Sequence, residues 1–208
     1  MKLGRYFRVD KSAILLLFAN ILIIIFAVVQ KWDIRDVLWI YWAQSLIIGI
    51  FNFFHILVLK NFSEEGYDFR LHVKMSMKSR MALFFIIHYG LCHLIFLVFL
   101  ICVWQIIPHM SAIFFALGII AFLVTHGFEY WQNRSRDIDR IPNIGDITFY
   151  PYARIIPMWL TLTLGIYYGQ GSLNTLVLFL VLKTIADVIM HMVDHRNDKP
   201  PAGHTGSF

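Results

Sequence analysis

Apolar residues run through this chain in long blocks separated by short polar segments. Six blocks of about twenty residues fit the thickness of a bilayer: 13–30, 38–59, 82–104, 111–131, 152–170 and 173–195. Gly, Pro and aromatic residues interrupt the fourth and fifth. The pattern predicts one domain, residues 1–208, folded as an all-α bundle of about six membrane-spanning helices. The segment MKLGRYFRVDKS before the first block resembles the start of a signal sequence. The block itself is longer than a typical signal core and no small-residue cleavage site follows, so an uncleaved first span is expected.

Composition agrees with the pattern. Apolar residues make up 59% of the chain and charged residues 15%, with mean hydropathy +0.66. A soluble domain carries about a quarter charged residues, so the chain is read as an integral, multi-pass membrane protein, with a prokaryotic plasma membrane as its expected location. The net charge of +5 does not point to nucleic acid, because the basic residues lie in the connections between blocks. Fourteen of them, at positions 2–11, 60–80, 134–140 and 196–199, share one side if there are six spans, against Lys31 and Arg35 on the other. The positive-inside rule then places both termini in the cytoplasm. Cys92 and Cys102 lie in one apolar block, roughly 15 Å apart along a helix, too far to bridge within the chain.

The last block, LNTLVLFLVLKTIADVIMHMVDH, carries Lys183, Asp187, His191, Asp194 and His195 in one stripe. Ionisable groups inside a membrane are costly and normally face a bundle interior or a watery cavity. At about 1.5 Å per residue, His55, Asn52, His88, His126, Glu129, His191 and Asp187 all fall roughly 3–14 Å from the cytoplasmic ends of their spans. The outer half of these spans offers Gln44, Ser45 and His93. A lone His in a membrane helix usually does no more than bond a neighbouring helix; the coincidence in depth is what suggests a site.

Helical angles select among the candidates. His126 and Glu129 share a face, as do Asn52 and His55, with Gln44 on the same stripe as that second pair. His88 and His93 point about 140° apart, and His88 is taken as the site residue. Asp187 with His191 has the i, i+4 spacing by which a helix offers two ligands to one metal, and His191 with His195 is the rival pair. Lys183 is expected to neutralise Asp187. The expected metal ligands are therefore His88, His126, Asp187 and His191. Zinc is the first choice, with iron, manganese or copper behind it. Glu129 is the candidate general base, and Arg154 the group that holds a phosphate or carboxylate.

The blocks YWAQSLIIGIFNF, IIHYGLCHLIF, ITFYPYARIIPMW and VLKTIADVIMHMVDH together resemble a family of multi-pass membrane proteins of unknown function, over about residues 40–195. His88, Tyr89, Tyr152, Arg154, Lys183, Thr184, Asp187 and His191 match that pattern. The chain departs from it at Gln44, where the pattern has an acid, and near Trp159, where it has a polar residue, often His. The resemblance implies a shared topology and a shared polar site, and no activity. His191 and His195 are also similar to the His-x3-His of intramembrane zinc amidohydrolases that include alkaline ceramidases, which is an analogy of chemistry.

The expectation is a metal-dependent hydrolase of a lipid-like small molecule, with membrane lipids as partners and a homo-oligomer allowed. The alternatives are a proton- or ion-coupled transporter using the same Asp and His residues, and a non-catalytic assembly subunit held together by them. The transporter alternative calls for polar residues through the outer half as well, and these are sparse.

Overall fold

The computed structural model describes residues 11–66, 75–103, 110–138, 141–153, 155, 176–177 and 180–188. It is all-α: α1 Lys11–Val29, α2 Ile34–Val58, α3 Met77–Val98 and α4 Ala112–Arg136, with α5 over 144–153 and α6 over 180–188. A π-helical turn, Phe99–Val103, continues α3. Helices α1 to α4 are long and apolar enough to cross a membrane, which makes this a multi-pass membrane protein.

Local chemistry sets the helix boundaries. Asp33 caps α2 through a capping box: its side chain accepts from the backbone of Arg35 and Asp36, and the Asp36 carboxylate accepts from the Asp33 N–H, which satisfies donors that a helix start leaves orphaned. Lys31 takes a positive φ of 53° in the reversal between α1 and α2, and Trp32 N–H donates back to Ala27 O. Ser76 caps α3 by accepting from Ser79 N–H at 3.2 Å. Asn143 starts α5, its side-chain oxygen accepting from Gly145 and Asp146.

The core of the bundle is apolar, with Ile23, Val37, Ile40, Phe85, Phe96, Phe122 and Leu180 buried. Phe18, Ile87, Leu94, Ile113 and Val124 lie exposed, as expected of helices whose outer faces meet lipid rather than water. Helix α4 packs against both α1 and α2, and α3 against α2. Gly118 makes the α1–α2–α4 approach possible, because a Cβ there would stand 2.9 Å from Cδ1 of both Ile23 and Ile40.

Helices α2 and α4 run parallel. The Asp36 carboxylate accepts from Met110 N–H at 2.9 Å near their starts. Gln44 meets His126 and His55 meets Asp137, two pairs with the same separation of 82 residues. At the far end, Ser63 N–H donates to Pro142 O and Ile144 N–H to Ser63 O, which ties the 59–66 connection to the start of α5 in a single parallel bridge.

The first four expected spans match α1 to α4, the third including its π-helical turn. The 132–150 segment, which connects the fourth and fifth expected spans, is mostly helical: α4 continues to Arg136 and α5 begins at 144. No Gly or Pro interrupts 131–136, so polarity alone does not end the helix, and Pro142–Asn143 begins the next one. Within the sixth expected span, 180–188 is helical; residues 156–175 and 189–195 lie outside the described residues.

Candidate functional site: a buried polar chain ending in a pocket

Lys183 and Asp187 lie one turn apart on α6 and form an ion pair. The two residues are 7% and 4% exposed, so the pair is removed from solvent and needs further bonds to offset its desolvation. Asn20 of α1 supplies two: its Nδ2 donates to Asp187 Oδ2 at 3.2 Å, and its Oδ1 accepts from Lys183 Nζ at 3.4 Å. The Lys183 ammonium also stands 4.2 Å from the centre of the Tyr41 ring, a geometry that stabilises a buried cation. Its third polar partner is Gln44 of α2, whose Oε1 accepts from Nζ.

That last bond fixes the sense of the remainder of the chain. With Oε1 turned to an ammonium, the Gln44 amide can present only its NH2 to His126, 3.4 Å from the imidazole Nε2. An amide NH2 donates, so Nε2 accepts and the imidazole proton sits on Nδ1. Nδ1 lies 2.9 Å from Glu129 Oε2, to which it donates. Lys183, Gln44 and His126 therefore donate in one direction, from the ion pair to the Glu129 carboxylate. Gln44 and His126 are each 2% exposed.

Glu129 and His126 open onto a cavity of about 80 Å³ between α2, α4 and α5. Its wall includes Phe51, Asn52, His55, Tyr130, Asn133 and Tyr150. The Phe51 and Tyr130 rings lie 5.7 Å apart, and Gly127 leaves room for Phe51, whose Cζ would be 3.4 Å from a Cβ at that position. His55 pairs with Asp137 at 2.5 Å. Asn52 Nδ2 is buried with no hydrogen-bond partner among the described residues.

A second polar cluster joins α2 to α3. His93 Nδ1 donates to Tyr89 O at 2.9 Å, which leaves Nε2 to accept from the Ser45 hydroxyl at 2.9 Å. Tyr89 OH donates to Ser45 O at 2.8 Å. Gly49 accommodates the Tyr89 ring, whose Cε1 would lie 2.3 Å from a Cβ there.

Of the expected site residues, His126 and Glu129 are in direct contact, and Asp187 joins them through Lys183 and Gln44. His88 does not join them. It is exposed, stacks on Phe84 and has Nδ1 3.0 Å from Tyr152 OH, whereas His93, on the other face of α3, is buried. Of the two α3 histidines, His93 is the buried one. Arg154, His191 and His195 lie outside the residues whose side chains are described. Among the described residues, no group of three or more His, Cys, Asp or Glu is placed to hold a metal ion. Asn20 was not singled out from the sequence, although one polar residue in an otherwise apolar span is a signal in itself.

A sequence model of a family of unknown function, DUF6498, matches residues 3–204, and the chain belongs to that family. No curated protein and no solved structure gives a significant match.

Proposed function

We propose that this DUF6498 member is a proton-linked membrane transporter, in which the chain from Asp187 to Glu129 couples protonation in the bundle core to solute binding in the pocket. One observation carries the reading: hydrogen bonds run without a break from Asn20 and the Lys183–Asp187 pair through Gln44 and His126 to Glu129 on the cavity wall. The outer half holds few polar residues, but the three it has, Gln44, Ser45 and His93, are all buried and hydrogen-bonded.

The coupling follows from the Gln44 amide. A proton arriving on His126 Nε2 turns that nitrogen into a donor facing a donor. Reversing the amide would satisfy His126 but turn the NH2 towards the Lys183 ammonium. A charge on His126 and the present Lys183–Gln44 bond therefore oppose one another. Such mutual opposition is a coupling free energy between two sites, felt equally from either end.

The test is proton flux in proteoliposomes loaded with a pH-sensitive dye and challenged with gradients of amino alcohols, amino acids, sugars and carboxylates. At least one class drives proton movement in the wild type. That movement is lost in Gln44→Leu and His126→Ala and kept in His88→Ala. If no class moves protons, or if Gln44→Leu and His126→Ala move them as the wild type does, the reading fails.

The metal-dependent lipid hydrolase is the second reading, favoured by the adjacency of His126 and Glu129. Zinc near one per chain in purified protein, lost in His126→Ala and accompanied by lipid hydrolysis, would put it first. The position of His88 argues against its original ligand set.

A further inference from the structure

We propose that the junction of α2 and α3 binds the phosphate of an anionic phospholipid, with Arg80 as the group that holds it. The site lies away from the pocket and does not depend on the transporter reading.

Three cations, Lys60, Lys78 and Arg80, stand where α2 ends and α3 begins. Lys78 Nζ donates to Leu59 O at 3.1 Å, which joins the start of α3 to the end of α2 beside Lys60. Among the described residues none of the three forms an ion pair. Glu64 and Glu65, further along the same connection, are exposed and pair with none of them.

Lys60 is exposed and Lys78 is engaged by the Leu59 carbonyl, so Arg80 decides the ligand. It is half-buried. Its Nε is enclosed by protein, which leaves the two Nη groups as the edge a ligand can meet. Nη2 has Met77 Sδ, at 3.6 Å, a weak acceptor, and Nη1 has no partner among the described residues. A cation partly removed from water with no anion beside it is costly. A phosphate relieves that cost best, because its oxygens match the guanidinium fork.

Placement names the kind of phosphate. Arg80 lies three residues beyond Met77, about 4–5 Å from the start of α3, at the level where an apolar span meets the head groups. On the same face of the helix, Leu83, Ile87 and Leu91 are 46%, 61% and 51% exposed. They form an apolar stripe that runs about 16 Å from the guanidinium into the bilayer. An anion tied to an acyl chain fits this surface, phosphate on Arg80 and chain along the stripe. Lys60 adds positive charge at the head-group end, which favours a lipid of net negative charge over a zwitterionic one.

Native mass spectrometry of the detergent-purified full chain, titrated with lipid, tests this. Phosphatidylglycerol binds about tenfold more tightly than phosphatidylcholine, and Arg80→Gln removes the difference, as loss of a charge-assisted hydrogen bond does. Lys31→Gln, at the other end of α2, leaves it intact. Arg80→Lys keeps the charge without the fork and lowers the preference about threefold; it carries the test should Arg80→Gln fail to fold. Glycerol phosphate, the head group without a chain, does not bind at concentrations that saturate with lipid. Glycerol phosphate binding as tightly as the lipid would make this a site for free phosphate and overturn the inference. Equal affinity of the wild type for the two lipids, a preference that survives Arg80→Gln, or oleate binding as tightly as phosphatidylglycerol would overturn it as well.

Discussion

Gln44 turns its amide nitrogen to His126, 3.4 Å away, because Lys183 holds its amide oxygen. The hydrogen-bonding role of the imidazole is thus set by a cation on another helix. Replacing Gln44 with Glu, the kind of residue that the resembling family pattern has there, removes the donor and offers acceptors to both neighbours. His126 Nε2 then becomes a donor. NMR of protein carrying 15N-labelled histidine reads the change, and a Nε2 that still accepts in Gln44→Glu would refute the orientation assigned to the amide.

Lys183 and Asp187 predict a non-additive pair. Lys183→Met strands a buried carboxylate and is expected to cost about 3–5 kcal/mol, as breaking buried pairs does. The double variant Lys183→Met with Asp187→Leu removes both charges and should recover most of that loss, with proton flux still absent. Unfolding in mild detergent, run on both variants, checks the stability; a double variant no more stable than Lys183→Met contradicts the pairing.

Asp33 makes stability at the start of α2 depend on pH. Burial alone would raise its carboxyl, but hydrogen bonds from the Arg35 side chain and from the Arg35 and Asp36 backbone outweigh that and hold it below its ordinary value. The capped form is therefore favoured above the unfolded carboxyl value of about 3.9 and loses its advantage as pH falls through the lower folded value. Asp33→Ala should cost about 1 kcal/mol near neutral pH. That difference should vanish in strong acid, and one that persisted there would rule out the ionised cap as its source.

Gly49→Ala places a methyl group 2.3 Å from Tyr89 Cε1 and must displace the ring. The Tyr89–Ser45 bond and the stacking of Tyr89 on His93 go with it. A loss of about 1–3 kcal/mol is expected, as for other overpacked cores. Gly127→Ala, 3.4 Å from Phe51 Cζ, is the mild comparison. Equal thermal shifts in the two variants would count against the Gly49–Tyr89 contact.

The first four helices were legible from apolar block length, and their order of polar residues was legible from depth. Depth put His126, Glu129 and Asp187 in one layer, and the structure links them. It could not say that Gln44 and Lys183 stand between His126 and Asp187, because depth along an axis carries no information on which helices are neighbours. The choice between His88 and His93 meets a related limit. Spacing shows that they point apart, but which one faces inward depends on the packing of α3 against α2. Asn20 was hidden by its surroundings, a lone amide in a run of Leu, Ile and Phe. Its role needs α6 beside α1, a contact made across 167 residues of sequence.

Helices α2 and α4 are pinned together at two heights with one offset, Gln44 to His126 and His55 to Asp137. Sliding one helix along the other would break both pins at once, and the next comparable registration lies about 5.4 Å away, a full turn. These two helices therefore behave as one stiff rod on the scale of smaller movements. The start of α5, bonded to Ser63 at both Pro142 and Ile144, is tied to the connection that leaves α2, so the third wall of the pocket is anchored to the same rod.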